Sequence, residues 1–262
     1  MEKGVPIRSL SRGISVLQAV NRGGSLSMME IARTSEVPYP TACRIVQTLL
    51  LEGLIEREPA RKRYRPTALV QTLAHGFQGH GRLVQAARPH IVDLTRKIGW
   101  PISLATRVGH SMIIRDSTHA LTALTFNDYF PGYALPILES ASGIAYLAHI
   151  SSEERADLIA ALKLLPTKFS LHIINLIESD TLIEEVRGQG YATRGHNQFT
   201  RNPGKTSSIA VPVFEGDHVA GTLTLAFFSS AVRMGEAVAQ FVGPLQNAAA
   251  SIASELKPAL SQ

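Results

Sequence analysis

The chain has 262 residues, 45% of them hydrophobic, a formal net charge of +5 and a single cysteine, Cys43. That apolar share is ordinary for a folded globular protein and argues against disorder, and no run of roughly 18 apolar residues marks a membrane span. One cysteine forms no internal disulfide, and the N-terminal stretch lacks an apolar signal-peptide core, so a reducing cytoplasm is the expected setting.

The charge is unevenly placed. Residues 1–80 hold 11 basic and 6 acidic side chains, whereas residues 81–262 hold 15 of each. The whole excess therefore sits in the first third, which points to a polyanion as partner for that part. Its elements follow in order. Residues 10–22 space Ile14, Val16, Leu17 and Val20 as one helical face, with Ser11 as N-cap and Gly23–Gly24 as the stop. "SLSMMEIARTSEV" predicts a short helix capped by Ser27, with Glu30 three residues on as in a capping box. "VPYPTACRIVQTLLLEGLIER" predicts a third helix. Pro40 suits its first turn, Ala42, Ile45, Val46, Leu49 and Leu50 form the buried stripe, and Gly53 is the C-cap. "LIERE" and "RYRPT" then predict two short strands around a basic turn.

Helix, helix, turn, helix and ribbon form a winged helix-turn-helix. The third helix fits the major groove of B-DNA, where its N-terminal residues reach base edges. Arg44 has the donors to read a guanine, and Thr41 a thymine methyl or a phosphate. Arg57, Arg61, Lys62, Arg63 and Arg65 on the ribbon are placed to neutralise phosphates. With Tyr39, Pro40, Cys43 and Gln47 these make up the expected DNA-binding surface; for Cys43, packing is the other role.

Residues 67–99 look helical with a break near 76–81. Beyond "GWP" the texture changes. "ISLATRV", "SMIIRDS" and "LTALTF" predict successive strands. "LPILESASGIAYLAHI" predicts a turn before a buried helix, and "NLIESDTLIEEVRGQGYA" one amphipathic helix. "SSIAVPVFEGDHVAGTLTLAFF" predicts a hairpin turning at Glu215, Gly216 and Asp217, and residues 235–256 a closing helix. The pattern is α+β with a mixed or antiparallel sheet.

Catalytic constellations are weak. "PGKTS" at 203–207 has Phe199 where a phosphate-binding loop needs glycine. The nine histidines are scattered, and His75 and His80 lie five apart, which suits no helical zinc pair. Cys43 has no partner base, and "SASGIAY" lacks the first glycine of a nucleophile elbow. No enzyme activity, metal or cofactor is expected. The alternatives are a metabolite-binding enzyme, or a sensing module with a helical accessory domain that does not bind DNA.

In layout and in several strings the chain resembles the IclR family of bacterial transcription regulators. "SLSRGISVLQAVN" is similar to the family's first helix, "PTACRIVQTLLLEGLIER" to its recognition helix and wing entry, and "ALPILESASGIAYLA", "SSIAVPVF" and "GTLTLAFF" to its effector domain. "WPISLATRVGHSMIIRDSTH" and "LPILESASG" are most similar to regulators of aromatic-acid catabolism. The resemblance implies an N-terminal winged helix-turn-helix (8–67), a linker helix (68–81) and a C-terminal GAF-like effector-binding domain (82–258). It also implies a homodimer or homotetramer on palindromic promoter DNA, with no membrane partner.

Tyr39 and Pro40 stand where many members carry a basic residue and a serine. Ile144 follows Gly143 where many have lysine. The cysteine and two serines that some members use for small oxo-acids align with Pro212, Leu223 and Leu225, and such an apolar wall favours an aromatic acid as effector. Its carboxylate is expected at the backbone N–H groups of Ala141 and Ser142, at a helix N-terminus. Leu124, Asn127, Leu135, Leu223 and Leu225 are expected around its apolar body. For each leucine, plain core packing is the competing reading.

Overall fold

A computed structural model describes residues 7–73, 81–125, 129–164, 171–195 and 205–257. The chain forms two compact units, Met1–Gly79 and His80–Gln262.

The first unit contains α1 (Arg8–Gly23), β1 (Leu26–Ser27), α2 (Met28–Ser35), α3 (Tyr39–Leu51), β2 (Ile55–Arg57), β3 (Arg63–Pro66) and the single turn α4 (Leu69–Thr72). Val16 and Val20 of α1, Ile31 of α2, Ala42, Val46 and Leu49 of α3 and Ile55 of β2 close one core. α1 begins earlier than Ser11 suggests: Ile7 is its N-cap, and Ser11 donates from Oγ to the Ile7 carbonyl inside the first turn. At α2 the capping box is present. Ser27 Oγ accepts from the Glu30 amide, and the Ser27 amide donates to the Glu30 carboxylate at 2.8 Å.

α3 ends in a Schellman motif. The Leu54 amide reaches the Leu49 carbonyl, the Gly53 amide reaches that of Leu50, and Gly53 supplies the positive φ of 70°. Beyond the expected ribbon, β1 pairs with β3, giving a three-stranded sheet in the order β1-β3-β2.

The second unit contains α5 (Gly81–Ile98), β4 (Ile102–Val108), β5 (Ser111–Ser117), β6 (Ala134–Pro136), α6 (Ala141–His149), α7 (Ser152–Lys163), α8 (Leu171–Glu178), α9 (Thr181–Gln189), β7 (Ala192–Arg194), β8 (Thr206–Glu215), β9 (His218–Phe228) and α10 (Met234–Leu256). The six strands form one antiparallel sheet in the order β6-β5-β4-β9-β8-β7. Both faces are covered. Ile102, Leu104, Ile209, Val211, Leu223, Leu225 and Phe227 pack on α5 and α10. The opposite face meets α6, whose residues Ala141–Ala148 are all buried.

Three expectations change here. "LTALTF" is not a strand where it is described: His119–Leu121 form a 3-10 turn, and Thr122 accepts from the Leu124 amide while donating to the Gly99 carbonyl. The expected single helix after residue 174 is two, because Asp180 takes a left-handed φ of 56° between α8 and α9. α7, absent from the sequence reading, opens on Ser151, whose Oγ accepts from the Glu154 amide.

α6 lies so close to the segment before it that a Cβ on Gly143 would fall on the backbone carbonyl of Ile137. Backbone cannot retreat as a flexible side-chain end does. Gly143→Ala should therefore cost about 1–3 kcal/mol, read as a lower denaturant midpoint of the full chain. Gly235→Ala, where a Cβ meets nothing within 4 Å, is the neutral control.

Candidate functional site

On the first unit, α3 turns Arg44, Gln47 and Thr48 to solvent, with Thr41 half-buried on the same side. These four line an open groove whose other wall is α1, which contributes Ser9, Arg12 and Gly13. Arg12 was missed in the sequence reading; the signal was its place one turn into a helix that packs on α3. Tyr39 and Pro40 are exposed at the start of α3. Cys43 is half-buried one turn after Tyr39, and its nearby thiol group pushes the Tyr39 phenol up.

The wing's five cations divide. Arg57, Arg61 and Lys62 are exposed and have no ion-pair partner among the described residues. Arg65 meets Glu56 across the ribbon at 2.6 Å. Arg63 departs from the expected phosphate role. It reaches Glu30 at 2.9 Å and donates to the Ser25 carbonyl and hydroxyl, fastening the wing to the start of α2. Hydrogen bonds from Ser27, then the charges of Arg63 and Arg33, hold the Glu30 carboxyl below the usual carboxylate range.

The second unit encloses a cavity between α6, β7, β8 and β9. Its enclosed part measures about 50 Å³. Ser103, Ser142, Thr206, Ser208 and Thr224 line it with hydroxyls, and Leu135 and Ala141 with apolar surface. Two charged groups of opposite sign, Glu139 and Arg194, also face it. Burial pulls the Arg194 guanidinium down and the Glu139 charge pulls it up. Arg194 Nε and Thr224 Oγ1 are buried and have no hydrogen-bond partner among the described residues. Ser140 caps α6, accepting from the Gly143 amide, and Ser142 bonds the Thr222 hydroxyl at 2.6 Å.

Of the expected effector residues, Leu135, Ala141 and Ser142 are on this cavity. Leu124 lines an adjoining crevice with Pro101 and Phe228, which shares Tyr129, Thr206 and Ala226 with the cavity. Asn127 lies outside the described residues. Leu223 and Leu225 are placed differently from expectation. Strand side chains alternate, so these two point to α10 and are fully buried, while Thr222, Thr224 and Ala226 take the α6 side. Pro212 lines a separate surface depression with His149 and Phe214. On β9 the wall expected from the leucines is formed instead by Thr224 and Ala226, and the hydroxyls stand within a mostly apolar lining. Of the residues missed, Thr224 was visible only through correct strand parity on β9, Arg194 lies on β7, a strand the sequence reading did not place, and Glu139 sits in the turn before α6.

No group of three or more His, Cys, Asp or Glu residues placed to hold a metal occurs among the described residues. No described helix is long and apolar enough to cross a membrane.

A winged helix-turn-helix followed by a unit built on a sheet with an internal cavity is the architecture of a DNA-binding transcription regulator. Residues 9–59 match the IclR helix-turn-helix domain, and residues 78–254 the bacterial transcriptional regulator IclR C-terminal domain. The chain belongs to the IclR family. It is similar to the HTH-type transcriptional regulator BhcR of Paracoccus denitrificans, 27% identical over 82% of this chain and 76% of that protein. It is also similar to TsaQ1/TsaQ2 of Comamonas testosteroni, 24% identical over 60% of this chain; the match spans only 57% of that protein. Among solved structures, the Thermotoga maritima IclR aligns with a TM-score of 0.65 at 19% identity, covering 95% of this chain and 99% of that one. An IclR homolog of Microbacterium hydrocarbonoxydans in complex with 4-hydroxybenzoate aligns with a TM-score of 0.65 at 23% identity, covering 95% and 98%.

The Arg63–Glu30 tie predicts a split between two wing residues. Arg63→Ala should lower the denaturant midpoint at neutral pH, whereas Arg61→Ala should leave it at the wild-type value. Because the folded Glu30 carboxyl titrates below its unfolded value, its contribution is complete above the ordinary carboxylate range and fades as pH falls through the folded value. Denaturation at neutral and acidic pH should show the Arg63→Ala difference shrinking in acid.

Proposed function

We propose that this chain represses or activates a catabolic operon by binding palindromic promoter DNA as a homodimer or homotetramer in the cytoplasm, under control of a small aromatic carboxylic acid. Arg44, Thr41 and Gln47 are the base-reading residues on α3, flanked by Tyr39, Pro40 and Cys43. Arg57, Arg61 and Lys62 on the wing, with Arg12 on α1, meet phosphates. Two copies related by a two-fold axis match two half-sites one or more helical turns apart. The effector acts by binding one arrangement of the regulator more tightly than another.

The observation that carries the effector reading is the cavity beside the start of α6, whose mostly apolar lining is set with hydroxyls and Arg194. An aromatic acid presents both an apolar body and an anion to such a lining, and the Microbacterium homolog's complex with 4-hydroxybenzoate supports that choice. A second reading, a small hydroxy- or oxo-acid, is favoured by the chamber's size of about 50 Å³ and its ring of hydroxyls. No residue constellation among the described residues favours the enzyme alternative, and the exposed cations of the wing argue against the sensing module.

Gel shifts on DNA upstream of the gene test the reading. Wild type should bind with steep salt dependence, and Arg44→Ala should lose about 1–3 kcal/mol of specific affinity. Lys62→Ala should lower the salt slope by roughly one unit. One of 4-hydroxybenzoate, pyruvate or lactate should alter the shifted complex. Absence of any salt-dependent shift at low ionic strength would remove the regulator reading for this chain's N-terminal unit.

A further inference from the structure

Resting on the DNA-binding reading above, we infer that Glu30 strengthens the grip on DNA although its own charge opposes it: through Arg63 its carboxylate positions the wing whose cations, Arg57, Arg61 and Lys62, meet phosphates. The first support is the direction of the Arg63 donors. Nε donates to the Ser25 hydroxyl at 3.1 Å, and Nη2 donates to the Ser25 carbonyl at 2.8 Å while lying 2.9 Å from the Glu30 carboxylate. One edge of the guanidinium is therefore turned into the protein. A phosphate brought to the same group would meet the Glu30 charge beside it, and two anions that close repel. Arg57, Arg61 and Lys62 are exposed and have no ion-pair partner among the described residues, so their charge is open to DNA.

The second support is what stands behind the carboxylate. Glu30 Oε2, the oxygen that faces Arg63, also accepts from the Ser27 amide and the Ser27 hydroxyl, both at 2.8 Å. The capping box that starts α2 is thus the anchor of the tie. The backbone joins at the same point: Ser27 is the register partner of Arg63 in the β1–β3 ladder, and Leu26 that of Tyr64. A ladder of two residues is too short to hold a ribbon by itself, and the side-chain tie gives it a second hold.

The third support is position. Arg61 and Lys62 immediately precede Arg63 in the turn of the ribbon, where the Glu58 amide donates to the Arg63 carbonyl at 3.0 Å. Fixing Arg63 therefore fixes the backbone that carries two of the three exposed cations. Its anchor, α2, is separated from α3 only by residues 36–38 and shares one core with it. Wing and recognition helix are thereby held at one spacing, and a group ordered before binding loses less entropy when it meets its partner.

Fluorescence anisotropy of the full chain on a labelled random-sequence duplex at low salt tests it, since phosphate contacts supply such binding. Circular dichroism and thermal unfolding report whether each variant folds. Glu30→Gln keeps the capping box and removes a negative charge. It should nevertheless bind about 3- to 10-fold more weakly than wild type, the cost of ordering one or two loosened side chains. Arg63→Gln should weaken binding at least as much, and the double variant should be no weaker than Arg63→Gln alone. Lys62→Ala should cost less in the Glu30→Gln background than in wild type, a coupling that a loss of stability alone does not produce. If Glu30→Gln does not fold, Arg63→Lys decides. It keeps the charge and loses the Nε bond to Ser25, so weaker binding upholds the brace and wild-type affinity overturns it. Glu30→Gln binding as tightly as wild type, or more tightly, overturns the inference, because Glu30 then acts only as a repelling charge. An undiminished effect of Lys62→Ala in the Glu30→Gln background overturns it as well. Both of these outcomes leave the DNA-binding reading standing, which falls only if wild type shows no salt-dependent binding.

Discussion

The chamber exists because α6 is allowed to lie against the backbone that precedes it. At Gly143 the Ile137 carbonyl occupies the place of a side chain. That approach brings the first turn of α6 over the sheet, where Ser142 closes onto Thr222 and the buried helix completes the second core. A larger residue would push α6 away from that carbonyl and from the sheet beneath it. One missing methyl thus joins packing, helix position and the electrostatic character of the site.

Much of the first unit was legible from local chemistry. Ser27 with Glu30 three residues on signalled a helix start, Pro40 another, and Gly53 a helix end, because each satisfies backbone groups within a few residues of itself. What escaped was long-range. Arg63 lies 38 residues from Ser25 in sequence, and nothing in "ARKRYRP" tells a lysine or arginine that meets solvent from one that braces the wing. The two-residue strand β1 exists only because β3 is there to pair with it.

The second unit shows the same division. Strands β4, β5, β8 and β9 follow from alternating branched residues, and the turn Gly216–Asp217 from its composition. The break at Asp180 was hidden inside a continuous amphipathic pattern. It is held from outside: Arg155, on α7, donates to the Asp180 carboxylate at 2.8 Å. The expected ligand wall was displaced for a sharper reason. Leu223 and Leu225 align with serines that some family members use on a ligand, yet their apolarity is what a sheet buried on both faces demands on its α10 side. The chamber took the other parity.

That alternation carries an evolutionary consequence. A one-residue slip of β9 would exchange its rows of side chains, sending Thr222 and Thr224 into the α10 core and Leu223 and Leu225 into the chamber. The cost of burying two hydroxyls among leucines falls on stability, long before any effect on ligand preference is felt. An insertion or deletion in this hairpin would therefore cost stability before it changed the cavity, whereas a point substitution at Thr224 or Ala226 would change one lining residue at a time.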